Sequence, residues 1–200
     1  KIYKKIKFTK KNQMVKKRAC IFISGSGTNL RSIIKNSRDY NFPINVNLVI
    51  SDNKNAKGID FAKKFSIPYI ILDSKKDKFE KIAIKELLDR KIKLVCLAGF
   101  MKILSKNFVR NFKGKIINIH PSLLPKYKGL STFKRALNAR EKITGCTVHF
   151  VDEKLDNGKT IVKKKVLIDK SDNHEQLKKK VQSEEYKAYS IAIRKIYNAN

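Results

Sequence analysis

The sequence has no tryptophan, only three cysteines and no apolar run near the roughly 20 residues that a membrane helix requires. The cysteines, Cys20, Cys96 and Cys146, lie far apart in apolar segments and form no CxxC pair. An odd number of separated cysteines argues against a disulfide framework and predicts buried, reduced thiols. We therefore expect a protein without a membrane span that works in the cytoplasm.

Acidic residues are also scarce: 17 Asp and Glu stand against 47 Lys and Arg, which gives a formal net charge of +30. A chain this basic is often a nucleic-acid binder. Here, however, lysine dominates and is spread along the whole length, and no aromatic residues interleave with a basic stripe. We interpret the charge as a solvated surface that attracts anionic small substrates, with no specific nucleic-acid partner. A non-enzymatic RNA-binding domain is an alternative that rests on charge alone.

The first residues are rich in lysine and contain no apolar block of the kind that a secretory signal requires. We interpret residues 1–16 as a basic extension outside the core fold, with Met14 as a candidate start. Residues 17–200 are expected to form one domain, because the chain is 42% apolar and shows no Gly/Ser linker or internal repeat. A domain of this size is compatible with a monomer or a homodimer.

Apolar segments of strand length alternate with amphipathic segments along the chain. This alternation predicts the α/β class, as a single Rossmann-like domain whose mainly parallel sheet carries helices on both faces. The last two strand candidates alternate apolar and polar residues more openly, which predicts an antiparallel C-terminal strand pair. We expect strands at 18–24, 44–51, 67–73, 93–99, 115–120, 145–151 and 160–168, and helices at 28–38, 55–65, 78–91, 104–112, 131–140 and 172–197.

The segment SGSGTNL, from Ser24 to Leu30, lies where a predicted strand meets a helix. Glycines let the backbone approach a ligand there, and a helix N-terminus offers free N–H groups to an anion. Leu30 stands where a dinucleotide fingerprint needs a third small residue, and no Gly-Lys-Ser/Thr completes a P-loop. A single phosphate monoester on Gly27, Thr28 and Asn29 fits better. A plain turn in which Thr28 or Asn29 caps the helix is an equally open interpretation.

Asn118 and His120 stand two apart at the end of a predicted strand. Side chains two apart in a strand point the same way, so both are expected to face one site. At the carboxyl end of a parallel strand they lie where open sheets bind ligands. The Asn118 amide is a donor suited to a developing oxyanion, and a histidine can move a proton near neutral pH. A histidine bonded only to local backbone is the alternative, which the asparagine partner disfavours.

Asp156 precedes an Asn-Gly pair, a turn-forming dipeptide between the last two predicted strands. A carboxylate near His120 would favour the charged imidazole and hold an attacking water or amine. On the residues alone, a hairpin turn in which Asp156 bonds local backbone is the simpler interpretation. His149 and His174 have no ligand spacing to Cys, Asp or Glu, so we predict no metal site.

Five segments together resemble, in order and spacing, the phosphoribosylglycinamide formyltransferases, which are folate-dependent transformylases of purine synthesis. They are ISGSGTNLRSII, LAGFMKILS, INIHPSLLPKYKGL, GCTVHFVDEKLDNGKTI and VQSEEYKAY, and the similarity covers residues 17–195. The His-Pro-Ser-Leu-Leu-Pro block is shared, with variations, across folate-dependent formyltransferases and deformylases. The Ser-Gly-Ser-Gly-Thr-Asn start together with the Leu-Asp-x-Gly turn is more specific.

The resemblance implies that the formyl group of 10-formyltetrahydrofolate is transferred to the amine of 5'-phosphoribosylglycinamide in purine (IMP) biosynthesis, without a metal. Asn118 and protonated His120 would stabilise the tetrahedral intermediate, and His120 would help to move a proton to the leaving nitrogen. Asp156 would keep the imidazole charged and relay protons through water. The hairpin-turn carboxylate thereby acquires a catalytic partner.

The resemblance also implies two adjoining pockets. The ribonucleotide phosphate would lie on Gly27, Thr28 and Asn29, and Gln182 and Glu185 would also contact the ribonucleotide. The second pocket would hold 10-formyltetrahydrofolate as the formyl-donor cosubstrate, with its pterin near the Asp156 loop. The implied folate contacts are Met101, Lys102, Ile103, Leu104 and Asn118.

The chain departs from the family pattern at two places. Where many relatives have an arginine near the folate tail, the counterpart here is Lys76, with Lys75 or Lys78 as substitutes. A lysine attracts a glutamate carboxylate but lacks the bidentate fork of arginine. After Gly129, many relatives carry one or two histidines, whereas this chain continues Leu-Ser-Thr-Phe. We therefore expect no auxiliary histidine in that loop.

Two other enzymes of the same chemistry are alternatives. A formyltetrahydrofolate deformylase would use water in place of the amine, but it usually carries an N-terminal regulatory domain, for which there is no room before Cys20. A methionyl-tRNA formyltransferase would carry a separate tRNA-binding barrel, whereas a long helix is expected at the end of this chain. We therefore favour the small ribonucleotide as acceptor.

Overall fold

The computed structural model describes residues 15–72 and 75–197, except for the side chain of Lys76. Within these residues, strands and helices alternate as the sequence predicts. The strands are β1 (Lys17–Ile23), β2 (Ile44–Ser51), β3 (Tyr69–Ile71), β4 (Leu94–Leu97), β5 (Lys115–His120), β6 (Ile143–Phe150) and β7 (Thr160–Leu167). The helices are α1 (Thr28–Ser37), α2 (Gly58–Lys64), α3 (Lys76–Asp89), α4 (Lys106–Asn111), α5 (Thr132–Asn138) and α6 (His174–Tyr197).

The strands form one sheet in the order β3-β2-β1-β4-β5-β6-β7. The first five strands in this order pair in parallel, and β6 runs antiparallel to both β5 and β7. The predicted α/β class, with a mainly parallel sheet and antiparallel C-terminal strands, is confirmed. The pairing of β6 with β5 was not part of that prediction, and it brings a further side chain into the site described below.

Buried side chains cover both faces of the sheet. Along β1, Ile21 points into a core shared with α1 and α6, and the next residue, Phe22, points into a core shared with α3 and α4. This alternation follows from the two-residue period of a strand. The buried Tyr189 of α6 donates its hydroxyl to the carbonyl of Leu97 at the end of β4. The last helix is therefore fixed to the centre of the sheet.

Several elements are shorter than predicted, and the second helix and the third strand differ most from their expected lengths. The helix expected over 55–65 begins only at Gly58, because the Asn53 side chain accepts from the backbone N–H of Asn55 and closes a turn before the helix. Of the strand expected over 67–73, the described residues 67–72 form only β3, which lies at the sheet edge and pairs with β2. Pro68, which has no N–H to donate to a ladder, precedes it directly.

The strand order places a ligand crevice at one edge of the sheet. β1 pairs with β2 on one side and with β4 on the other, so the direction of winding reverses between β1 and β4. In open α/β sheets, ligands bind outside the carboxyl ends of the strands at such a point. The segments that follow β1, β4 and β5 meet at this edge, which we call the carboxyl edge.

The three cysteines are buried and free, as predicted. Burial raises the pKa of the Cys146 thiol to about 12. No helix among the described residues is long and apolar enough to cross a membrane. The division into an extension over 1–16 and a domain over 17–200 stays a prediction, because residues 1–14 lie outside the described part of the chain.

Candidate active site

A cavity of about 530 Å³ opens at the carboxyl edge, between the ends of β4 and β5 and the first turns of α5 and α6. Many of the predicted site residues line it, namely Asn29, Met101, Lys102, Ile103, Leu104, Asn118, His120, Asp156 and Glu185. Gly27, Thr28 and Gln182 do not line this cavity, and the side chain of Lys76 lies outside the described residues. The fold thus brings the three predicted catalytic residues together.

His120 and Asp156 form a buried pair. His120 Nδ1 lies 3.3 Å from Asp156 Oδ2, and the two residues are only 5% and 8% exposed. The same carboxylate oxygen accepts from the backbone N–H of Gly129 at 2.9 Å. Asp156 is therefore more than a local turn residue, because its contacts reach β5 and the loop before α5.

Both ring nitrogens of His120 face oxygen atoms. Nδ1 faces the Asp156 carboxylate, and Nε2 lies 2.8 Å from the carbonyl oxygen of Tyr127. An ionised carboxylate and a carbonyl can only accept hydrogen bonds, so the doubly protonated imidazolium satisfies both. Each ring nitrogen of His120 therefore has an acceptor within reach of an N–H.

His149 belongs to the same cluster, although no sequence pattern predicts it there. Its Nε2 lies 3.4 Å from Asn118 Nδ2 and 3.8 Å from Asp156 Oδ1, and its Nδ1 lies 2.8 Å from the carbonyl oxygen of Phe150. Because a carbonyl only accepts, we assign the ring proton to Nδ1. The lone pair of His149 Nε2 then accepts from the amide of Asn118.

The neutral form of His149 fits its environment. Burial lowers the pKa of this histidine, an effect partly offset by the Phe150 carbonyl and by Asp156. With one amide N–H of Asn118 held by His149, the second remains for a ligand in the cavity. The strand register places His149 in the site, because β5 and β6 pair Asn118 directly with His149, and opposed residues share a face.

The glycine-rich loop has a packing role of its own. Gly27 is left-handed, with φ 70°, and a Cβ there would lie 2.4 Å from the Cα of Gly58. This close approach requires glycine at position 27, with or without a ligand. No side chain caps α1 at Gly27. The capping interpretation is wrong for Asn29, whose Nδ2 donates to Glu185 Oε2 at 2.8 Å.

Asn29 and Glu185 form a second buried polar pair in the cavity wall. Burial raises the pKa of Glu185, and the hydrogen bond from Asn29 partly offsets this. Among the described residues, Asn29 Oδ1 is buried and has no hydrogen-bond partner. Because an unsatisfied buried acceptor is costly, this oxygen fits a site in which a ligand supplies the donor.

The wall predicted to contact folate is largely apolar. Met101 and Ile103 are 65% and 59% exposed, and the backbone N–H of Met101 is fixed by the hydroxyl of Ser24 at 2.8 Å. The ammonium of Lys102 lies 4.0 Å from the carboxylate of Asp52. Exposed apolar side chains at a cavity are suited to a flat, partly apolar ligand. Within the described part of the chain, no three His, Cys, Asp or Glu side chains could together hold a metal ion.

The carboxyl edge of this open α/β sheet carries an amide donor and a buried histidine–carboxylate pair. These groups define a small-molecule site with acid–base chemistry, suited to group transfer at a carbonyl carbon. The formyl transferase family model matches residues 17–193. The chain therefore belongs to the formyl transferase family, and the family expected from its sequence segments is confirmed.

Individual relatives agree with this assignment. The phosphoribosylglycinamide formyltransferase of Haemophilus influenzae is 38% identical over 183 residues, which are 89% of this chain and 86% of that protein. The trifunctional purine biosynthetic protein adenosine-3 of Drosophila melanogaster is 39% identical over 189 residues, 92% of this chain, but the chain spans only 14% of that longer protein. Glycinamide ribonucleotide transformylase 1 from Symbiobacterium toebii superposes with a TM-score of 0.87 at 34% identity, covering 92% of this chain and 89% of that one.

Proposed function

We propose that this chain transfers the formyl group of 10-formyltetrahydrofolate to the amine of 5'-phosphoribosylglycinamide, a step of purine (IMP) biosynthesis. The observation that carries the proposal is the meeting of Asn118, His120 and Asp156 in one cavity at the carboxyl edge. The relative from Haemophilus influenzae supports it, because its similarity to this chain extends over most of its length.

In the proposed reaction, the ribonucleotide amine attacks the formyl carbon, and negative charge develops on the formyl oxygen. Asn118 would donate its free amide N–H to that oxygen, since its other N–H is held by His149. The charge of the His120 imidazolium would stabilise the same oxygen. As the bond from the folate nitrogen to the formyl carbon breaks, the proton on Nδ1 would pass to that nitrogen through a water beside Asp156, while Nε2 stays on the Tyr127 carbonyl. Asp156 would hold the imidazolium and relay, through water, the proton that the amine loses.

The ribonucleotide phosphate would bind at the start of α1, where Gly27, Thr28 and Asn29 offer backbone N–H groups and no side chain caps the helix at Gly27. Glu185 and the unpaired oxygen of Asn29 would accept from hydroxyl or amine groups of the same substrate. Gln182 lies nearly one helical turn before Glu185 and stays a predicted contact.

The folate would lie against the apolar wall of the cavity and reach Asn118, where its formyl group meets the amine. The proposed wall residues are Met101, Lys102, Ile103 and Leu104. Lys76 stays the predicted partner of the folate tail.

A cytoplasmic location, independence from metal and from nucleic acid, and a monomeric or homodimeric state belong to the same proposal. Full turnover after dialysis against EDTA would support the metal-free part.

A formyl-transfer assay tests the proposal on wild type, His120→Ala and Asn118→Ala, each with and without the ribonucleotide. We expect turnover that requires the ribonucleotide and collapses in His120→Ala. Asn118→Ala should lose at least about a hundredfold in kcat, because one oxyanion donor lowers the activation free energy by ~3 kcal/mol. The substitution Asp89→Ala, which removes an exposed ion pair with Lys85, serves as the control.

Each other outcome counts against a defined part of the proposal. Near-normal kcat in a folded Asn118→Ala protein would remove the oxyanion role. Formyl release that needs no ribonucleotide would identify water as the acceptor and make the chain a deformylase. A folded wild-type protein with neither reaction would overturn the proposal.

A further inference from the structure

The loop 121–131, between β5 and α5, contacts both members of the His120–Asp156 pair. The carbonyl oxygen of Tyr127 lies 2.8 Å from His120 Nε2, and the N–H of Gly129 donates to Asp156 Oδ2 at 2.9 Å. These two loop residues are only two apart in sequence. The position of this turn therefore determines how the imidazole and the carboxylate face each other.

The backbone of this turn has an unusual conformation. Tyr127 has φ 55° and Ser131 has φ 57°, both in the left-handed region. A side chain with a Cβ is disfavoured there, and a bulky one especially so. A residue persists in this region when its surroundings fix it. The contacts of the Tyr127 side chain are therefore expected to hold the turn.

Three charged residues surround the Tyr127 ring. Its hydroxyl donates to Glu141 Oε1 at 2.9 Å, and Lys126 Nζ donates to the same oxygen at 2.8 Å. The guanidinium carbon of Arg135 lies 5.1 Å from the ring centre, and Arg135 also donates to the carbonyl of Lys128 at 2.7 Å. Lys126 and the Tyr127 hydroxyl together hold the pKa of Glu141 below its usual value, so its carboxylate is charged at neutral pH.

We propose that Tyr127 is a positioning residue for His120. The hydrogen bond from its hydroxyl to Glu141 fixes the left-handed turn, and the turn carbonyl then holds Nε2 of the imidazole. Neither Tyr127 nor Glu141 lines the cavity, so the effect passes through the loop backbone rather than through contact with a substrate. If the hydroxyl had only a structural role, its removal would destabilise the loop and leave the orientation and hydrogen bonds of the His120 imidazole unchanged.

The kinetic test rests on the proposed formyl transfer. Tyr127→Phe removes only the hydroxyl, and we expect kcat to fall roughly tenfold, with both KM values within about twofold of wild type, because only the geometry of the reacting groups changes. Glu141→Ala should behave alike. Glu141→Gln should recover most of the turnover, since its amide oxygen can still accept from Tyr127. Asp89→Ala, an exposed ion-pair variant on α3, is the control.

A spectroscopic test does not depend on any activity. Long-range 1H–15N spectra of the free protein report whether each ring nitrogen of His120 carries a hydrogen-bonded proton. We expect the Nε2 signal of His120 to move or broaden in Tyr127→Phe and Glu141→Ala, and to stay in place in Asp89→Ala. A changed spectrum in a protein without formyl transfer would sink the proposed function and leave the positioning role standing.

The proposal fails on two results. An unchanged His120 spectrum in folded Tyr127→Phe would show that the turn does not need the hydroxyl. A loss of unfolding free energy in Glu141→Ala, with kcat and the His120 signals at wild-type values, would reduce the contact to a structural one.

Discussion

The orientation of the Asn118 amide depends on one neighbouring side chain. His149 accepts from one N–H of this amide, and its own Nδ1 is held by the Phe150 carbonyl. His149→Leu removes the acceptor and replaces it with an apolar side chain of similar size. We predict that it lowers kcat about tenfold with little change in KM, because the free N–H of Asn118 is no longer held in its orientation toward the substrate. Steady-state kinetics of formyl transfer measure this.

His149→Gln is the matched variant, because its side-chain oxygen can accept from Asn118 and should recover part of the lost turnover. Wild-type kcat in a folded His149→Leu protein would show that the amide needs no such support.

The buried carboxyl of Glu185 should make the stability of the protein depend on pH. Burial raises its pKa in the folded chain above the usual value of 4.5. As the pH rises from that value, the unfolded chain loses the proton while the folded chain keeps it, so stability falls with rising pH. We therefore predict that the unfolding free energy of Glu185→Gln, measured relative to wild type, is higher at about pH 7 than at about pH 4. Urea unfolding at both values measures this.

Glu184→Gln is the control for this experiment, because Glu184 is the preceding residue and forms an ion pair with Lys187 at the surface. The same pH-dependent gain in both variants would mean that the burial of Glu185 is not its cause.

At the scale of elements, one serine joins α4 to α3. The hydroxyl oxygen of Ser105 accepts from the N–H of Phe108 at 3.0 Å, which caps α4, and the N–H and hydroxyl of Ser105 both donate to Glu80 of α3. We predict that Ser105→Ala lowers the unfolding free energy by about 2 kcal/mol, because a cap and a hydrogen bond to a charged group are both lost. Urea titration measures the difference.

Ser105→Thr keeps the hydroxyl and should stay closer to wild type. A loss below about 0.5 kcal/mol in Ser105→Ala would show that water replaces both contacts, as it does at exposed caps.

The element types could be predicted because each buried strand is a short apolar run and each helix shows its apolar face. The length of a strand at the edge of the sheet was less predictable, as β3 shows, since its length depends on which neighbour it pairs with. Asn118 and His120 could be assigned to one site because the period of a strand is fixed. His149 could not, because no local pattern states that β6 returns alongside β5.

The contacts of the loops are the least visible in sequence. Asp156 meets Gly129 across 27 positions, and Gly27 approaches Gly58 across 31. Both contacts depend on where the sheet places the ends of its strands. A turn signal predicts that the chain bends there, but not which backbone group it will meet. The hairpin interpretation of Asp156 was incomplete for this reason.

For the molecule as a whole, neither the fold nor the active site accounts for the net charge of +30. The side-chain ion pairs of the described residues are mostly at the surface, where such pairs contribute little to stability. Both proposed substrates are anions, one through its phosphate and the other through its glutamate tail. A basic surface raises the local concentration of such ligands.

We therefore predict that kcat/KM for the ribonucleotide falls about fivefold between low and physiological salt while kcat stays constant, because screening shortens the reach of the surface charge from ~30 Å to ~8 Å. Initial rates at fixed pH across a sodium chloride series measure this. A kcat/KM that does not respond to salt would limit the charge to keeping the protein in solution. Binding of an unstructured RNA that weakens steeply with salt, in wild type and His120→Ala alike, would revive the nucleic-acid alternative.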